Sequence, residues 1–161
     1  MSVHIIHDTK GAGVAALAER LKRLAAGQVL VGVPAGKSEP DGTSMAEVAA
    51  INEFGTADGR IPERAPLRGG MKSGEAKLKG LSERLAKGVA EDRLGPDQAL
   101  EMLGASAAGE VKLYMASGEM KASHPNAPST IAKKGSDQPT VDSGSLRQSI
   151  THKVEFGGGG T

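Results

Sequence analysis

Apolar side chains recur every three or four residues along four segments of the chain, which is the spacing that places them on one face of an α-helix. Between the two longest segments, Leu94-Gly95-Pro96-Asp97 indicates that one helix ends and another begins. The predicted helices are residues 13–26, 45–54, 72–92 and 98–117. The last two are expected to form an antiparallel pair or a bent continuation of each other.

Shorter β-rich runs predict the strands. Residues 28–34 are the clearest, because they are rich in valine and are closed by a proline. Within residues 146–156, Ile150, His152 and Val154 alternate as in a half-buried strand, and we expect this strand to pair with 28–34. Residues 3–6 are expected to form a strand or an N-terminal arm. The pattern predicts an α+β fold, with a small, mostly antiparallel sheet flanked by helices and long extended loops.

The pattern also predicts a single domain over residues 1–156. Residues 118–144 are polar and rich in Pro, Ser and Lys, which predicts a long loop that is functional, disordered or docked on a partner. Residues 157–161 are expected to be a flexible Gly-rich tail. Only Phe54, Tyr114 and Phe156 are aromatic, so the core has to be thin. A thin core favours stabilisation by neighbouring subunits, although a loop-rich monomer stays open.

Composition narrows the possible functions. The net charge of +1 gives no global field for nucleic-acid binding, and the absence of cysteine excludes disulfides, thiolate metal sites and cysteine nucleophiles. The sequence contains no apolar run long enough for a membrane span and no signal-peptide pattern at its start. We therefore expect a protein made and used in a cytoplasm.

The most distinctive stretch is residues 44–68. Ser44 and Glu47 have the spacing of a capping box at the start of a short helix, and Gly55 lies where a left-handed residue ends one. A stiff, positively charged arm then follows. Its prolines and arginines are Pro62, Pro66, Arg60, Arg64 and Arg68.

Two glycine motifs raise the alternative of a small nucleotide-binding enzyme. Residues 11–16 have the GxGxxA form of a dinucleotide fingerprint, but four residues separate them from the preceding apolar run. Residues 32–38 resemble a P-loop, but only three residues separate the glycines, and Pro34 among them has no N–H to donate to a phosphate. Both spacings disfavour this interpretation.

The remaining polar residues show no catalytic or metal-binding pattern. The four histidines lack any compact ligand spacing, and Glu47 and Glu53 are six residues apart on a helix, so they lie on different faces. Ser143 and Ser145 have no recognisable base or oxyanion element beside them. The sequence therefore assigns no catalytic, cofactor-binding or metal residue, and we expect no enzyme activity and no cofactor.

Basic residues form two local groups that suit phosphate backbone or an acidic protein surface, and neither has the interleaved aromatic residues that stack on bases. Protein contact is the favoured interpretation, with a DNA-binding accessory protein as a rival. The first group is the arginine arm of residues 60–68. The second comprises Lys121, Lys133, Lys134 and Arg147.

Two motifs together carry a family resemblance. The first is AAINEFGT at residues 49–56, followed by IPERAPLR at 61–68. The second is PSTIAKKG at 128–135, followed by PTVDSGSLRQSI at 139–150. In this order and around a helical spacer, they resemble the signatures of the neck and tail-completion (virion morphogenesis) proteins of tailed bacteriophages. Ala65-Pro66-Leu67 departs from the Pro-Phe pair usual there, and Ser143 stands for threonine.

The resemblance implies a non-enzymatic structural protein of the head–tail joint, located in the virion and in the host cytoplasm during assembly. It implies a homo-oligomeric ring, expected to be a hexamer, between head-closure or connector proteins and the tail terminator or tail tube. Phage DNA would pass through the lumen without sequence specificity, and no membrane is involved. A tail terminator or minor tail component is the alternative within this class.

The same motifs suggest residues for contact with subunits or partners. We expect Phe54→Ala mainly to destabilise the fold, and Arg64→Ala to leave the fold intact while weakening assembly. In the second motif, Gly144 is expected to supply a positive φ and Leu146 to anchor the final strand. The expected contact residues are Glu53, Phe54, Arg64, Arg68, Lys133 and Arg147.

Overall fold

The computed structural model describes residues 9–38, 41–123 and 144–157, together with positions 125, 132 and 135. Within these residues it contains seven helices and one two-stranded antiparallel sheet, which confirms the predicted α+β class. The helices are α1 (Thr9–Ala25), α2 (Met45–Phe54), α3 (Pro66–Ser73), α4 (Glu75–Ala90), α5 (Pro96–Met115), α6 (Gly118–Ser123) and α7 (Ser145–Ser149). The strands are β1 (Gly27–Gly32) and β2 (Thr151–Phe156).

The sheet joins the two strongest predicted strands. Gly27 pairs with Phe156 at one end and Gly32 pairs with Thr151 at the other, which confirms the predicted partnership. His152 and Val154 lie on the half-buried side of β2, as their alternation predicts. The prediction for residues 3–6 lies outside the described residues.

The prediction of a strand over residues 146–156 is wrong for its first residues. Residues 146–149 belong to helix α7, and the strand begins at Thr151. Gly144 has the predicted positive φ, at 77°, and its carbonyl accepts the Gln148 N–H at 2.9 Å. Leu146 and Ile150 are 5% and 1% exposed, so one face of this turn enters the core. Helical spacing therefore buries both side chains before the chain extends into β2.

Helix α5 is the centre of the fold. One side of it packs on the sheet, where a Cβ added to Gly104 would lie 2.3 Å from the His152 ring. Helices α3 and α4 pack on other sides of it. The main buried cluster gathers around it and comprises Met45, Ala49, Ala108, Val111, Tyr114, Met115, Met120, Leu146 and Ile150.

Two consecutive glycines are typical of a flexible break between helices, but Gly69 and Gly70 lie inside α3. A Cβ on Gly70 would stand 2.6 Å from the Val111 Cα, so only glycine permits this approach of α3 to α5. The single helix predicted over residues 72–92 is divided at Gly74 into α3 and α4. Close packing, rather than flexibility, accounts for these glycines.

Helices α4 and α5 form the antiparallel pair that the sequence allows. The Lys77 ammonium near the start of α4 lies 2.5 Å from the Glu110 carboxylate near the end of α5. At the opposite ends, Leu85 and Val89 pack with Ala99 in a second buried cluster.

Part of the predicted 118–144 loop is helix α6. The Ser117 hydroxyl accepts the Met120 N–H at 3.2 Å and so caps the first turn. Met120 has no exposed surface and anchors α6 in the main cluster. Most of the remaining predicted loop lies outside the described residues, as does the tail after residue 157.

Neither glycine motif adopts the local structure that nucleotide binding requires. Residues 11–16 lie within the continuous helix α1, whereas a dinucleotide fingerprint needs a tight turn from a strand into a helix. Gly32 ends β1, but the next helix begins only at Met45. No helix N-terminus follows residues 32–38 directly, as it does in a P-loop.

Candidate partner-binding surface

Helix α2 places the first motif between the core and solvent. Met45 and Ala49 are buried against the main cluster, and Gly55 ends the helix with the predicted positive φ, at 74°. The predicted capping box is absent, because Ser44 makes no side-chain capping bond. Packing of its apolar face, rather than a capped start, therefore holds α2 in place.

Glu53 links the end of α2 to the start of α3. Its side chain is 4% exposed, and its two carboxylate oxygens accept the backbone N–H groups of Leu67 at 2.8 Å and Arg68 at 3.2 Å. The N-cap residue of α3, Ala65, has no side-chain acceptor. Glu53 therefore caps α3 from a distant position, where a negative charge also suits the helix dipole.

Arg68 completes this link through its side chain. Its guanidinium donates to the Glu53 carboxylate at 2.8 Å, to the Glu53 carbonyl at 2.9 Å and to the Glu63 carboxylate at 2.8 Å. The hydrogen bond to Glu53, together with the two negative charges, raises the pKa of Arg68. The same guanidinium lies 5.5 Å from the centre of the Phe54 ring.

Asn52 and Arg64 hold the far end of the intervening loop. The Asn52 carbonyl accepts the N–H groups of Arg64 at 2.9 Å and Ala65 at 3.1 Å, while its side-chain amide donates to the Val48 carbonyl at 2.8 Å. Arg64 is half-buried, and burial lowers its pKa. The loop is thus tied to α2 through its backbone as well as through Glu53.

The tip of the loop is ordered by its own hydrogen bonds. The Thr56 N–H donates to the Ile61 carbonyl at 2.9 Å, and the Ile61 N–H donates to the Thr56 hydroxyl at 2.9 Å. A Cβ on Gly55 would lie 2.8 Å from both the Glu63 nitrogen and the Ile61 oxygen. We call residues 55–65 the clasped loop, because Asn52 and Glu53 hold its two ends together.

The surface beside the clasped loop is apolar and rimmed by charge. Phe54 is 69% exposed and Ile61 is 37% exposed. Arg60 of the same loop is 86% exposed and pairs with Asp58 at 3.1 Å, so the loop presents a neutralised ion pair. An ordered apolar patch of this kind suits contact with another protein better than chemistry on a small substrate.

The structure brings together three of the six predicted contact residues, Glu53, Phe54 and Arg68. Glu53 is directed inward and holds the chain's own loop. Phe54 is too exposed to support the core, so the expectation that Phe54→Ala mainly destabilises the fold is wrong. Partner contact by any of the six residues stays a prediction.

Of the other three predicted residues, one belongs to the same loop, one lies on α7 and one falls outside the described residues. Arg64 lies at the end of the clasped loop, where its guanidinium donates to the Asn52 side-chain oxygen at 3.4 Å. Arg147 is half-buried on α7, in a separate part of the sequence. Lys133 lies outside the described residues.

Sequence reasoning missed the roles of Asn52 and Glu63 and the inward direction of Glu53. One signal for Glu53 was available, since it follows Met45 and Ala49 at intervals of four residues on the apolar face of α2. A carboxylate in that row has to find donors. Nothing in the sequence identifies the N–H groups of Leu67 and Arg68 as those donors.

Comparison of the chain with protein-family models, with curated proteins and with solved structures finds no match. Among the residues that the structure describes, no helix combines the length and hydropathy of a membrane span. The same residues contain no group of three or more His, Cys, Asp or Glu side chains placed to hold a metal ion.

Proposed function

We propose that this chain is a structural, non-enzymatic protein of the head–tail joint of a tailed bacteriophage, acting in tail completion or at the neck. The sequence motifs support this proposal, since both halves of the first motif meet in one hydrogen-bonded unit. Glu53 from the NEFG segment caps the helix that begins in the IPERAPLR segment. Such a pairing fixes the shape of the loop between the two segments.

The observation that carries the proposal is the exposure of Phe54 at 69% beside a loop that is already ordered. A large exposed aromatic ring on a preorganised surface loses little conformational entropy when a partner covers it. We infer that Phe54 is the anchor of this contact.

In this proposal the chain assembles as a homo-oligomeric ring, a hexamer, with connector or head-closure proteins on one side and terminator or tail-tube proteins on the other. DNA would pass through the lumen by contacts that do not read sequence. A tail terminator or minor tail component is the alternative role within the same class, and assembly intermediates distinguish the two.

A complementation experiment tests the role. A phage carrying a nonsense codon in this gene is grown without suppression, and the lysate is examined by negative-stain electron microscopy. DNA-filled heads beside detached tails, which join into infectious particles on addition of purified protein, support the completion or neck role. Tails of abnormal length support the terminator alternative, whereas normal infectious particles contradict a structural role.

The Phe54 contact is tested in the same assay. Phe54→Ala protein should unfold at the same urea concentration as the unsubstituted chain but restore at least about tenfold fewer infectious particles, which is the loss expected for an interface anchor. Leu30→Ala is the matched control, since Leu30 is 41% exposed on β1 and belongs to neither half of the first motif. Equal restoration by both variants would remove Phe54 from the contact.

A further inference from the structure

One side of the central helix α5 is uncharged and largely exposed. Met102 is 45% exposed and Leu113 is 62% exposed. They are eleven residues apart, which on a helix with 3.6 residues per turn places them within about 20° of each other. We call this side the exposed α5 face; Gly109 on it is half-buried, and its other members are exposed. They are Gln98, Met102, Ala105 and Leu113, together with Ala116 directly after the helix.

The middle of the exposed α5 face is flat. Ala105 and Gly109 lie between the two large side chains, and a Cβ on Gly109 would meet nothing within 4 Å. Small residues four apart allow another helix to approach closely, while larger residues at either end fill the space beside it. The shape therefore suits a second helix that crosses α5 near its middle.

Charged residues flank this face on both sides: Glu101 and Lys112 lie on one side, and Glu110, whose side chain is 14% exposed and paired with Lys77, lies on the other. Glu101 and Lys112 are also eleven residues apart, and helical geometry places both about 80–100° from Met102 in the same direction. The Glu101 side chain is 61% exposed and lies 2.8 Å from the His152 ring nitrogen. A negative charge thus lies near the start of the flank and a positive charge near its end.

We propose that the exposed α5 face binds the same face of a second copy of this chain, with the two helices antiparallel about a two-fold axis. An axis centred between Ala105 and Gly109 places Met102 of each copy opposite Leu113 of the other. The small residues then meet at the crossing. Apolar surface that is exposed in one copy is buried in the pair.

The flanking charges are complementary in this arrangement. A two-fold axis perpendicular to both helices brings the Glu101–Lys112 flank of one copy against the same flank of the other, with the ends reversed. Glu101 of each copy then lies beside Lys112 of the other. Exposed ion pairs add little affinity, so burial of the apolar side chains supplies most of the stabilisation and these charges add electrostatic complementarity.

The contact is separate from the one proposed for Phe54. A two-fold pair closes after two copies and cannot extend into a ring by itself. Neither the clasped loop nor the phage assignment enters the argument. Loss of infectivity in the complementation assay and loss of pairing in solution are therefore distinguishable results.

Sedimentation equilibrium tests the pairing on the full chain at about 1 µM to 1 mM, the range in which modest interfaces associate. We expect a monomer–dimer equilibrium that Leu113→Asp weakens at least about tenfold, because the new carboxylate would be buried in the pair. Leu30→Asp is the matched control at another exposed leucine and should leave association unchanged. A chain that stays monomeric throughout, or equal effects of both variants, would overturn the proposal.

Cysteine crosslinking tests the relative direction of the two helices. The chain has no cysteine of its own, so only the introduced residues can form a disulfide. Under mild oxidation, a mixture of Met102→Cys and Leu113→Cys proteins should form a disulfide between the two variants. Each variant alone should not crosslink, because an antiparallel pair separates identical positions by about 16 Å, beyond the roughly 7 Å that a disulfide spans. Crosslinking of Met102→Cys with itself at least as readily as with Leu113→Cys would overturn the antiparallel arrangement.

Discussion

The Leu67 backbone N–H donates to the Glu53 carboxylate at 2.8 Å, so that a residue at the end of α2 caps a helix that begins more than ten residues later. The carboxylate is almost fully buried and also accepts two hydrogen bonds from Arg68. The start of α3 and the position of the clasped loop therefore depend on one side chain.

Replacement of Glu53 by glutamine should lower the free energy of unfolding by about 2 kcal/mol, because the amide replaces one acceptor oxygen with a donor that faces other donors. Urea denaturation followed by circular dichroism measures the change. Glu63→Gln is the control, since the Glu63 side chain is 54% exposed and its bond to Arg68 should contribute less than about 1 kcal/mol. Equal effects of the two substitutions would contradict a special role for Glu53.

Gly55 is the second position on which the clasped loop depends. Gly55→Ala should lower the free energy of unfolding by about 2–4 kcal/mol, because a Cβ would collide with two backbone atoms and φ is positive. Gly59 has a similar φ of 71° but open space around it, so Gly59→Ala isolates the conformational cost of about 1–2 kcal/mol. A loss at Gly55 no larger than that at Gly59 would show that the loop shifts freely.

Close packing of α3 on α5 predicts opposite results for two helical glycines. Gly70→Ala should destabilise the chain by about 1–3 kcal/mol, since the new methyl group would overlap the Val111 backbone. Gly80→Ala should stabilise it by up to about 1 kcal/mol, since only the Arg84 guanidinium lies near, at 3.5 Å, and alanine favours the helix. Thermal unfolding compares the two, and stabilisation by Gly70→Ala would contradict the packing.

The contact between α1 and α5 predicts that the stability of the fold depends on pH. Arg23 donates to both carboxylate oxygens of Asp97, at 2.8 and 2.9 Å, and this bond lowers the pKa of Asp97 below its ordinary value of 3.8. A carboxyl whose pKa is lower in the folded chain stabilises the fold above the unfolded-state value, and that stabilisation is lost as pH falls through the folded value.

Asp97→Asn should therefore reduce the difference in unfolding midpoint between pH 7 and pH 3, while the midpoints at the acidic end converge with those of the unsubstituted chain. Urea titrations at a series of pH values measure this. Arg23→Gln should flatten the profile similarly, because it removes the other half of the same bond. An unchanged profile in both variants would show that the contact does not persist in solution.

Local sequence patterns predict the elements better than the contacts between them. The apolar spacing that identifies α5 and the valine-rich run of β1 are properties of neighbouring residues, and both elements form where expected. Gly69 and Gly70 have no side chain to reveal that Val111 and Tyr114 lie against them, so a local interpretation takes them as a break. Ser117 and Met120 similarly form a short helix because Met120 is buried, which depends on distant residues.

The candidate surface also has features that the sequence predicts and features that depend on distant contacts. The NEFG and IPERAPLR segments stand out in the sequence, and Gly55 identifies the turn between them. The inward direction of Glu53 and the exposure of Phe54 depend on where α3 lies, which sequence spacing does not specify. The sequence therefore predicts a contact for the buried Glu53, and for the exposed Phe54 it predicts both a contact and a support of the fold.

The pairing of β1 with β2 has a consequence for synthesis. The partner of β1 is made more than 110 residues after it, and the Gly157 N–H donates to the Ala26 carbonyl at 3.3 Å. A nascent chain that has not yet reached Thr151 carries β1 with an unpaired edge and α5 with one side uncovered. The sheet therefore cannot form until β2 has been translated. Until then the growing chain exposes surfaces that are prone to aggregation or to binding by chaperones.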